Sequence, residues 1–157
     1  MLGNATFSFD DVAIVSVEAC DAPEVVTSAG IDERLAPFYE RTGATKGLLE
    51  SLAGISQRRQ WPEGVSFMDA AAMAGEKALA SSGIDRSRIG LVVDSSVCRE
   101  RLEPSSAITV HNLLRLPSTC MNFDISNACL GFLNGIQIAG SMIEAGQIDY
   151  ALVVDGE

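Results

Sequence analysis

The sequence predicts an α/β fold in which a parallel sheet is covered on both faces, and three observations support this prediction. Segments typical of strands and helices alternate after residue 65, which implies parallel pairing through crossover connections. Two predicted strands contain the apolar runs 91–93 and 151–154, which lack the alternation of a half-exposed strand. Gly and Pro residues stand where the predicted helices begin or end.

The chain begins with one predicted strand and a long irregular stretch. Residues 12–17 are predicted to form the first strand. A mixed stretch follows over roughly residues 21–64, and it includes a helix-like segment at residues 28–41.

Regular elements follow from Ser66 onward. Ser66 and Asp69 are spaced as in a capping box, and Gly83 suits the position just after a helix. The first predicted helix runs from Ser66 to Ser82. The second has Pro104 at its first helical position and runs to about Leu116, where Pro117 stops the helix. The third covers residues 130–145 and is closed by Gly146. The predicted strands are residues 90–94, 121–125 and 150–155.

The last predicted helix is apolar around nearly its whole circumference. Its polar residues form one narrow stripe: Asn134, Gln137, Ser141 and Glu144. Its three glycines each weaken it by nearly ~1 kcal/mol relative to alanine. Such a helix is typically buried on all sides with another backbone close by. One small domain offers few places for this, so we expect a second layer of structure to come from outside the chain.

Length and composition limit the class of protein. Of 157 residues, 47% are hydrophobic and 20% are charged, so the chain can fold around a core. The net charge of −10 argues against nonspecific binding to nucleic acid or anionic membranes, because both require a basic surface. Residues 1–10 lack the features of a signal peptide, and no apolar run of about 18 residues could cross a bilayer. We therefore expect a cytoplasmic protein without a membrane span.

Cys129 is the strongest candidate for a chemical role. It lies just after a predicted strand and at the first turn of the last predicted helix. Backbone N–H groups and the helix dipole at such a position favour a thiolate and can stabilise an oxyanion on a thioester carbonyl. The alternative is a buried apolar cysteine, and this interpretation is kept for Cys20, Cys98 and Cys120. None of the four has the spacing of a zinc site, so we expect no metal and no cofactor.

Several motifs resemble one enzyme family. The run 127–132, NACLGF, resembles the nucleophile segment of thiolase-superfamily condensing enzymes of the ketoacyl synthase III type. Residues 53–55 with Arg58 and Arg59 are similar to the T-G-I-x-x-R segment of that family. Residues 101–105, 127–129 and 148–157 together look most similar to the OleA branch, which joins two fatty acyl-CoA molecules head to head and yields a β-keto acid. The related paired synthases of β-lactone lipid biosynthesis are an equal alternative within the resemblance.

The resemblance implies a thiolase fold, a layered αβαβα arrangement of two similar halves, of which residues 1–157 form the first. In this family the cysteine works with a His and an Asn from the second half. The only histidine here, His111, lies within a predicted helix, so we interpret it as structural or solvent-facing. The resemblance therefore implies that a C-terminal half or a partner polypeptide supplies His and Asn, in a homodimer or a heterodimer.

Glu103 has two interpretations. It precedes Pro104, which favours an extended backbone, and an acidic residue at a helix start stabilises the helix dipole. The resemblance instead implies that Glu103 reaches into the site of the partner subunit and deprotonates Cα of an acyl chain. Ketoacyl synthase III enzymes need no such base, because loss of CO₂ from malonyl supplies their carbanion. Glu103 thus distinguishes non-decarboxylative from decarboxylative condensation.

The resemblance also concerns the binding of acyl-CoA. Arg58 and Arg59 are candidate phosphate ligands, with solvated surface arginines as the alternative, and Asn127 is a candidate substrate contact. In many ketoacyl synthase III proteins a Trp and an Arg hold the CoA adenine, but the matching positions here are Leu48 and Leu52. The adenine-binding residues are therefore left open.

Three functions follow as alternatives. The first is non-decarboxylative Claisen condensation of two long-chain acyl-CoA thioesters through an acyl-Cys129 intermediate, with Glu103 as the base. The second is a decarboxylative ketoacyl synthase III that uses malonyl carrier protein. The third is a non-catalytic partner subunit of a heterodimeric condensing enzyme, and retention of both Cys129 and Glu103 argues against it.

Overall fold

The computed structural model describes residues 6–157, which form two compact units. One unit contains residues 6–20 and 66–157, and the other contains residues 21–65. Residues 1–5, which belong to the segment where we expect no signal peptide, lie outside the described residues. None of the helices found in residues 6–157 has the length and apolar character needed to span a bilayer.

The smaller unit combines a two-stranded antiparallel sheet with three short helices. Its strands are β1 (Glu24–Thr27) and β2 (Gln57–Gln60). Its helices are α1 (Ser28–Arg34), α2 (Ala36–Thr42) and α3 (Leu48–Ala53). The helix-like segment predicted over residues 28–41 is helical but divided in two. Pro37 has no N–H to continue the hydrogen bonds of α1, and α2 begins at Ala36. Neither strand is predicted from the sequence, because both are short and mostly exposed.

The larger unit is built on a three-stranded parallel sheet. Its strands are β3 (Ile89–Asp94), β4 (Met121–Asp124) and β5 (Tyr150–Val154), in the order β4-β3-β5. Its helices are α4 (Phe67–Ser82), α5 (Ser106–Leu113) and α6 (Gly131–Glu144). These elements confirm the predicted alternation of strands and helices and the parallel pairing.

The sheet is covered on both faces, as predicted. On one face, Val92 and Val154 pack among side chains of α4 and α5. On the other face, Leu91 and Val93 pack against Ala139 of α6. Full burial of a valine or leucine side chain stabilises the fold by roughly 1.5–3 kcal/mol. Because successive side chains of β3 are buried on opposite faces, the strand shows no apolar–polar alternation in sequence.

Helix α4 begins and ends where the sequence predicts. The Ser66 hydroxyl accepts a hydrogen bond from the Asp69 N–H at 3.1 Å, and the Asp69 carboxylate accepts one from the Ser66 N–H at 3.0 Å. This completes the predicted capping box. Gly83 follows the helix with a φ of 67°, in the left-handed region that favours glycine.

Helix α5 begins later and ends earlier than predicted. Ser105 caps its start, because the Ser105 hydroxyl accepts a hydrogen bond from the Ile108 N–H at 3.4 Å. Pro104 therefore lies before the cap, and its predicted place at the first helical position is wrong. The helix ends at Leu113, short of the predicted Leu116.

Residues 12–17 do not form the predicted strand. A strand needs a neighbouring strand to pair with its N–H and C=O groups, and none of the five strands in the described chain pairs with this segment. Ile14, Val15 and Val17 are each more than half exposed. The segment instead contacts a helix, since Ser16 Oγ lies 2.5 Å from Ser81 Oγ of α4.

Helix α6 packs its small residues against the sheet and leaves its other side open. A Cβ on Gly135 would lie 2.7 Å from Val153 Cγ1, so this glycine permits the close approach of helix and strand. Leu133 is 60% exposed, so the all-round burial predicted for this helix is not reached within the described chain. The helix begins at Gly131, because Leu130 belongs to a preceding 3₁₀ turn.

Candidate active site

Cys129 lies at the junction between β4 and α6. Strand β4 ends at Asp124, and one 3₁₀ turn, Ala128–Leu130, precedes the first residue of α6. Cys129 therefore lies just before the helix and not within its first turn as predicted, and it is exposed. The Leu130 N–H donates to the Asn127 carbonyl at 3.0 Å and closes the turn.

The backbone at this junction is constrained. Ala128 has a φ of 42°, in the left-handed region that a residue with a Cβ seldom adopts, and such a conformation costs of order 1–3 kcal/mol. Asn127 Nδ2 donates to Asn134 Oδ1 at 2.7 Å and ties the turn to α6. A strained backbone that is held by its surroundings is typical of functional positions.

The start of α6 has backbone donors beside Cys129. Its N-cap, Leu130, makes no side-chain hydrogen bond to the first turn, and the first turn contains no acidic residue. The Gly131 N–H donates to the Ala128 carbonyl within the preceding 3₁₀ turn. The next N–H groups of this turn are not bonded within the helix, and they carry the positive end of its dipole. They can therefore donate to a thiolate or to an oxyanion formed beside Cys129.

Two of the other cysteines favour the protonated form. Burial raises the pKa of Cys120 to about 11. A hydrogen bond to the Glu157 carboxylate raises the pKa of Cys98, and the negative charge of that carboxylate adds to the effect. Cys120 is buried, as predicted, but Cys98 is exposed because it lies on the loop after β3, and Cys20 is half-buried. Cys98 and Cys120 are therefore poor nucleophiles near neutral pH, because the thiolate is the reactive form.

Glu103 lies exposed on the loop between β3 and α5. The first turn of α5 contains no acidic residue, so Glu103 lies too far from the helix for the dipole-stabilising role. Strands β3 and β4 are adjacent and parallel, so the loop with Glu103 and the turn with Cys129 leave the same edge of the sheet. No hydrogen bond or ion pair joins the two side chains within residues 6–157.

Arg58 and Arg59 belong to the smaller unit, where both take part in folding. Arg58 Nη2 donates to Ser28 Oγ at 3.1 Å, and its Nη1 is buried without a hydrogen-bond partner among the described residues. Arg59 Nη1 donates to the Ala22 carbonyl at 3.1 Å. Neither arginine is merely solvated, which was the alternative to a phosphate ligand.

Leu48 and Leu52 lie on α3 in the same unit. Their side chains are 41% and 79% exposed. A leucine has no donor for a phosphate and no aromatic face or planar guanidinium for stacking on adenine. Helix α3 therefore offers no polar or stacking contact to adenine at these two positions.

His111 is a structural residue, as predicted. It lies in α5 and is only 8% exposed. Its Nε2 lies 3.1 Å from the Pro117 carbonyl oxygen, which can only accept, so Nε2 is the donor. This bond joins the helix to the segment that follows it.

A buried polar cluster at the same edge of the sheet is not predicted from the sequence. Asp94 ends β3 fully buried, and its Oδ1 accepts from Ser96 Oγ at 2.6 Å. Ser96 Oγ also accepts from the Gly156 N–H at 2.9 Å, which joins the ends of β3 and β5. Burial raises the pKa of Asp94, and the charge of Asp124 adds to this, while the Ser96 hydrogen bond opposes it. The signal in the sequence is a polar Asp-Ser-Ser that follows an apolar run.

The arrangement contains an exposed cysteine and an exposed carboxylate. Among the side chains of residues 6–157, no group of three His, Cys, Asp or Glu is placed to hold a metal ion. A family model for 3-oxoacyl-[acyl-carrier-protein] synthase III matches residues 123–157. An acyl-CoA:acyl-CoA alkyltransferase from Xanthomonas campestris is 48% identical over 149 residues, which are 95% of this chain and 44% of that protein. The enzyme of the same name from Shewanella oneidensis is 43% identical over 136 residues, or 87% of this chain and 39% of that protein.

Solved structures agree with these relatives. A variant of OleA from Xanthomonas campestris matches with a TM-score of 0.90 at 48% identity, over 95% of this chain and 44% of that chain. A cysteine-to-serine variant of OleA with bound lauric acid and lauroyl-CoA matches with a TM-score of 0.90 at 47% identity, over 96% of this chain and 44% of that chain. The chain thus has the α/β fold of these enzymes and spans less than half their length. It is therefore similar to the ketoacyl synthase III-like enzymes of the thiolase superfamily and matches the amino-terminal portion of OleA.

Proposed function

We propose that this chain is the amino-terminal half of a thiolase-fold enzyme, layered αβαβα, that condenses two long-chain acyl-CoA thioesters without decarboxylation. The observation that carries the proposal is the placement of Cys129 and Glu103, both exposed, on segments that leave one edge of the sheet. A nucleophile and a carboxylate base are the two groups that this reaction requires. A C-terminal half or partner polypeptide supplies the His and Asn that assist Cys129, in a homodimer or a heterodimer.

In the first step Cys129 accepts an acyl group. Its thiolate attacks the carbonyl carbon of one acyl-CoA, the carbon–sulfur bond to CoA breaks, and CoA leaves as the free thiol after protonation. The N–H groups at the start of α6 stabilise the oxyanion. The raised pKa values of Cys98 and Cys120 direct acylation to Cys129.

In the second step Glu103 of the neighbouring subunit generates the carbon nucleophile. Its carboxylate removes a proton from Cα of a second acyl-CoA, and this carbon attacks the acyl carbonyl on Cys129. A carbon–carbon bond forms, and the sulfur of Cys129 leaves as a thiolate. The product is a β-ketoacyl-CoA, and hydrolysis of its thioester gives the β-keto acid.

Arg58, Arg59 and Asn127 are the proposed substrate contacts. Each arginine uses one N–H in a hydrogen bond within the smaller unit, and a guanidinium has five, so donors remain for CoA phosphates. Asn127 stands shortly before Cys129 and donates one N–H to Asn134, so its other amide N–H and its oxygen remain for the thioester.

The relatives support the choice of substrate. Those from Xanthomonas campestris and Shewanella oneidensis are named acyl-CoA:acyl-CoA alkyltransferases, and OleA has been solved with lauroyl-CoA. Solved OleA variants replace one glutamate and one cysteine, and these two positions are separated by as many residues as Glu103 and Cys129. This equal spacing supports the assignment of both residues.

Exposed apolar side chains support the need for a second half. Ile14, Val15, Val17 and Leu133 are each more than half exposed in the described chain. Apolar surface of this extent is typical of a surface that packs against another polypeptide. The curated relatives are more than twice as long as this chain, and the chain matches only their amino-terminal portion.

A decarboxylative ketoacyl synthase III is the second candidate. It is favoured by the family model for 3-oxoacyl-[acyl-carrier-protein] synthase III, which matches residues 123–157, the part of the chain that contains Cys129. Such an enzyme forms its carbanion by loss of CO₂, and Glu103 would then have no catalytic role.

The deciding experiment supplies the complete enzyme, this chain with the polypeptide that completes it, with a long-chain acyl-CoA alone. We expect a β-keto product without any malonyl donor. Glu103→Gln keeps the size of the side chain and removes its charge, so it should abolish this product. A requirement for a malonyl donor, together with full activity of Glu103→Gln, would replace the first candidate with the second.

A further inference from the structure

We propose that Arg101 is a positioning residue for Glu103, an inference that rests on the proposed role of Glu103 as the base. Glu103 is exposed and has no hydrogen bond or ion pair of its own within the described residues. The position of its carboxylate therefore depends on the backbone turn that carries it.

Arg101 makes hydrogen bonds that close this turn and anchor it. Its Nε donates to the Pro104 carbonyl at 3.3 Å, so the guanidinium closes the turn over residues 101–104. Its Nη2 donates to Thr109 Oγ1, which lies in α5. Because the donors of a guanidinium form a rigid planar fork, the two bonds together fix the turn relative to the helix. Arg101 is also half-buried, unlike Glu103.

Helix α5 is in turn fixed to the strand that leads to Cys129. Asp124, the last residue of β4, accepts hydrogen bonds from the N–H groups of Ser106 and Ala107, both at 2.8 Å. A carboxylate that accepts two backbone N–H groups at a helix start holds that start firmly. A continuous set of contacts therefore leads from β4 through α5 and Arg101 to the turn of Glu103.

This anchoring matters for the second step only. Proton removal requires the base within hydrogen-bond distance of the reacting group, and a misplacement of about 1 Å can slow a reaction by up to ~10²-fold. Acylation of Cys129 does not involve Glu103. Loss of Arg101 should therefore slow carbon–carbon bond formation by about tenfold or more and leave acylation within about twofold.

The experiment compares Arg101→Ala and Thr109→Val with wild type in the complete enzyme. Thr109→Val removes the anchor on α5 with almost no change in shape, so it tests the same contact if Arg101→Ala unfolds. Arg88→Ala is the matched control, because Arg88 packs over Tyr150 at the opposite end of the sheet. Acylation is followed by intact mass, condensation by product formation, and folding by the melting temperature. We expect condensation to fall in both test variants and not in the control.

Introducing Arg101→Ala into a Glu103→Asp parent as well as into wild type separates a positioning role from a general structural effect. In Glu103→Asp the carboxylate is already displaced, so adding Arg101→Ala should change the remaining condensation rate by less than about twofold. The positioning role is overturned if Arg101→Ala lowers the condensation rate equally in wild type and in Glu103→Asp, or if it lowers acylation in parallel. Either result leaves the base role intact. Condensation at the wild-type rate in Glu103→Asp would show that the reaction tolerates a displaced carboxylate and would overturn the positioning role alone. Condensation by Glu103→Gln would overturn the base role, and the positioning role with it.

Discussion

The Glu157 carboxylate lies against the Cys98 thiol and also accepts a hydrogen bond from the Val97 N–H at 2.7 Å. It thereby joins the loop after β3 to the segment after β5. Its negative charge disfavours a second negative charge on the Cys98 sulfur. Cys98 is exposed, and this carboxylate raises its pKa, which disfavours the reactive thiolate.

Replacement of this carboxylate should make Cys98 more reactive. In Glu157→Gln the pKa of Cys98 should fall toward its ordinary value, so alkylation by iodoacetamide should begin at a lower pH than in wild type. The measurement is peptide mass after brief labelling between about pH 6 and pH 10, a range around the pKa of a free cysteine. Labelling of Cys129 in the same samples is the control and should not shift. An unchanged profile for Cys98 would contradict the assigned role of Glu157.

Cys129 should be the only acylated cysteine. After incubation of the complete enzyme with an acyl-CoA, intact mass should show one added acyl group per site, and Cys129→Ala should show none. Cys98→Ser is the matched control, because it also removes an exposed thiol, and it should acylate like wild type. Acyl transfer to Cys98 or Cys120 would show that another sulfur is the nucleophile.

Asp94 should make stability depend on pH. Because burial raises its pKa, the folded protein binds this proton more tightly than the unfolded chain. The resulting stability is complete below the unfolded pKa of about 4 and is lost as pH rises through the folded pKa. Asp94→Asn keeps an acceptor for Ser96 and has no charge. Its melting temperature should therefore exceed that of wild type by roughly 2–4 °C at neutral pH and by less near pH 4.

The surface variant Asp149→Asn is the control for this measurement. Asp149 makes only an exposed ion pair with Arg88, at 3.4 Å, so its removal should change the melting temperature little at either pH. A melting temperature of Asp94→Asn that tracks wild type across the whole range would show that burial does not raise the pKa of Asp94.

Gly135→Ala should destabilise the protein although alanine is the better helix former. The added Cβ would lie 2.7 Å from Val153 Cγ1, and overpacking of this kind typically costs about 1–3 kcal/mol, more than the propensity gain of about 1 kcal/mol. Thermal unfolding of the complete enzyme measures this loss of stability. Val153→Ala should partly rescue Gly135→Ala, and Ser141→Ala, on the exposed side of α6, should have little effect. A more stable Gly135→Ala would mean that α6 and β5 can move apart at no cost.

Much of the larger unit could be predicted because its signals are local. The capping box at Ser66 depends on residues three positions apart, and Gly83 ends the same helix through its own φ angle. The apolar runs in β3 and β5 indicate burial on both faces without knowledge of their neighbours. The position of Cys129 between a strand and a helix could be predicted for the same reason, although its place in a 3₁₀ turn could not.

Features that depend on distant partners could not be predicted. Residues 12–17 have the composition of a strand, but pairing requires a neighbour that the described chain does not provide. Arg101 gains its contacts from a turn whose shape is not visible in the sequence, and Asp94 is buried only because β3 is central in the sheet. The early end of α5 is a local exception. Arg115 has a φ of 51°, and the Leu116 N–H donates to the His111 carbonyl at 3.1 Å, so the helix ends in a Schellman motif without the glycine that marks one in a sequence.

The last prediction concerns the origin of the base. If the complete enzyme is a homodimer and Glu103 acts across its interface, each site combines Cys129 of one subunit with Glu103 of the other. Cys129→Ala and Glu103→Ala homodimers should both be inactive in condensation. A mixed dimer of the two variants holds one site with both residues intact and one site with neither. Random exchange makes half of the dimers mixed, so about a quarter of wild-type activity should return.

This test locates the base only if exchange of subunits between the two homodimers is shown independently. Differently tagged subunits allow the mixed dimer to be purified, and it should then have about half of wild-type activity, since one of its two sites is complete. If Glu103 served its own subunit, each chain of the mixed dimer would lack one of the two residues that its site needs. The purified mixed dimer would then be as inactive as its parents, although Cys129 of the Glu103→Ala subunit would still acylate. Acylation without condensation in that dimer would exclude transfer of the proton to the partner subunit's glutamate and place the base in the same chain as the nucleophile.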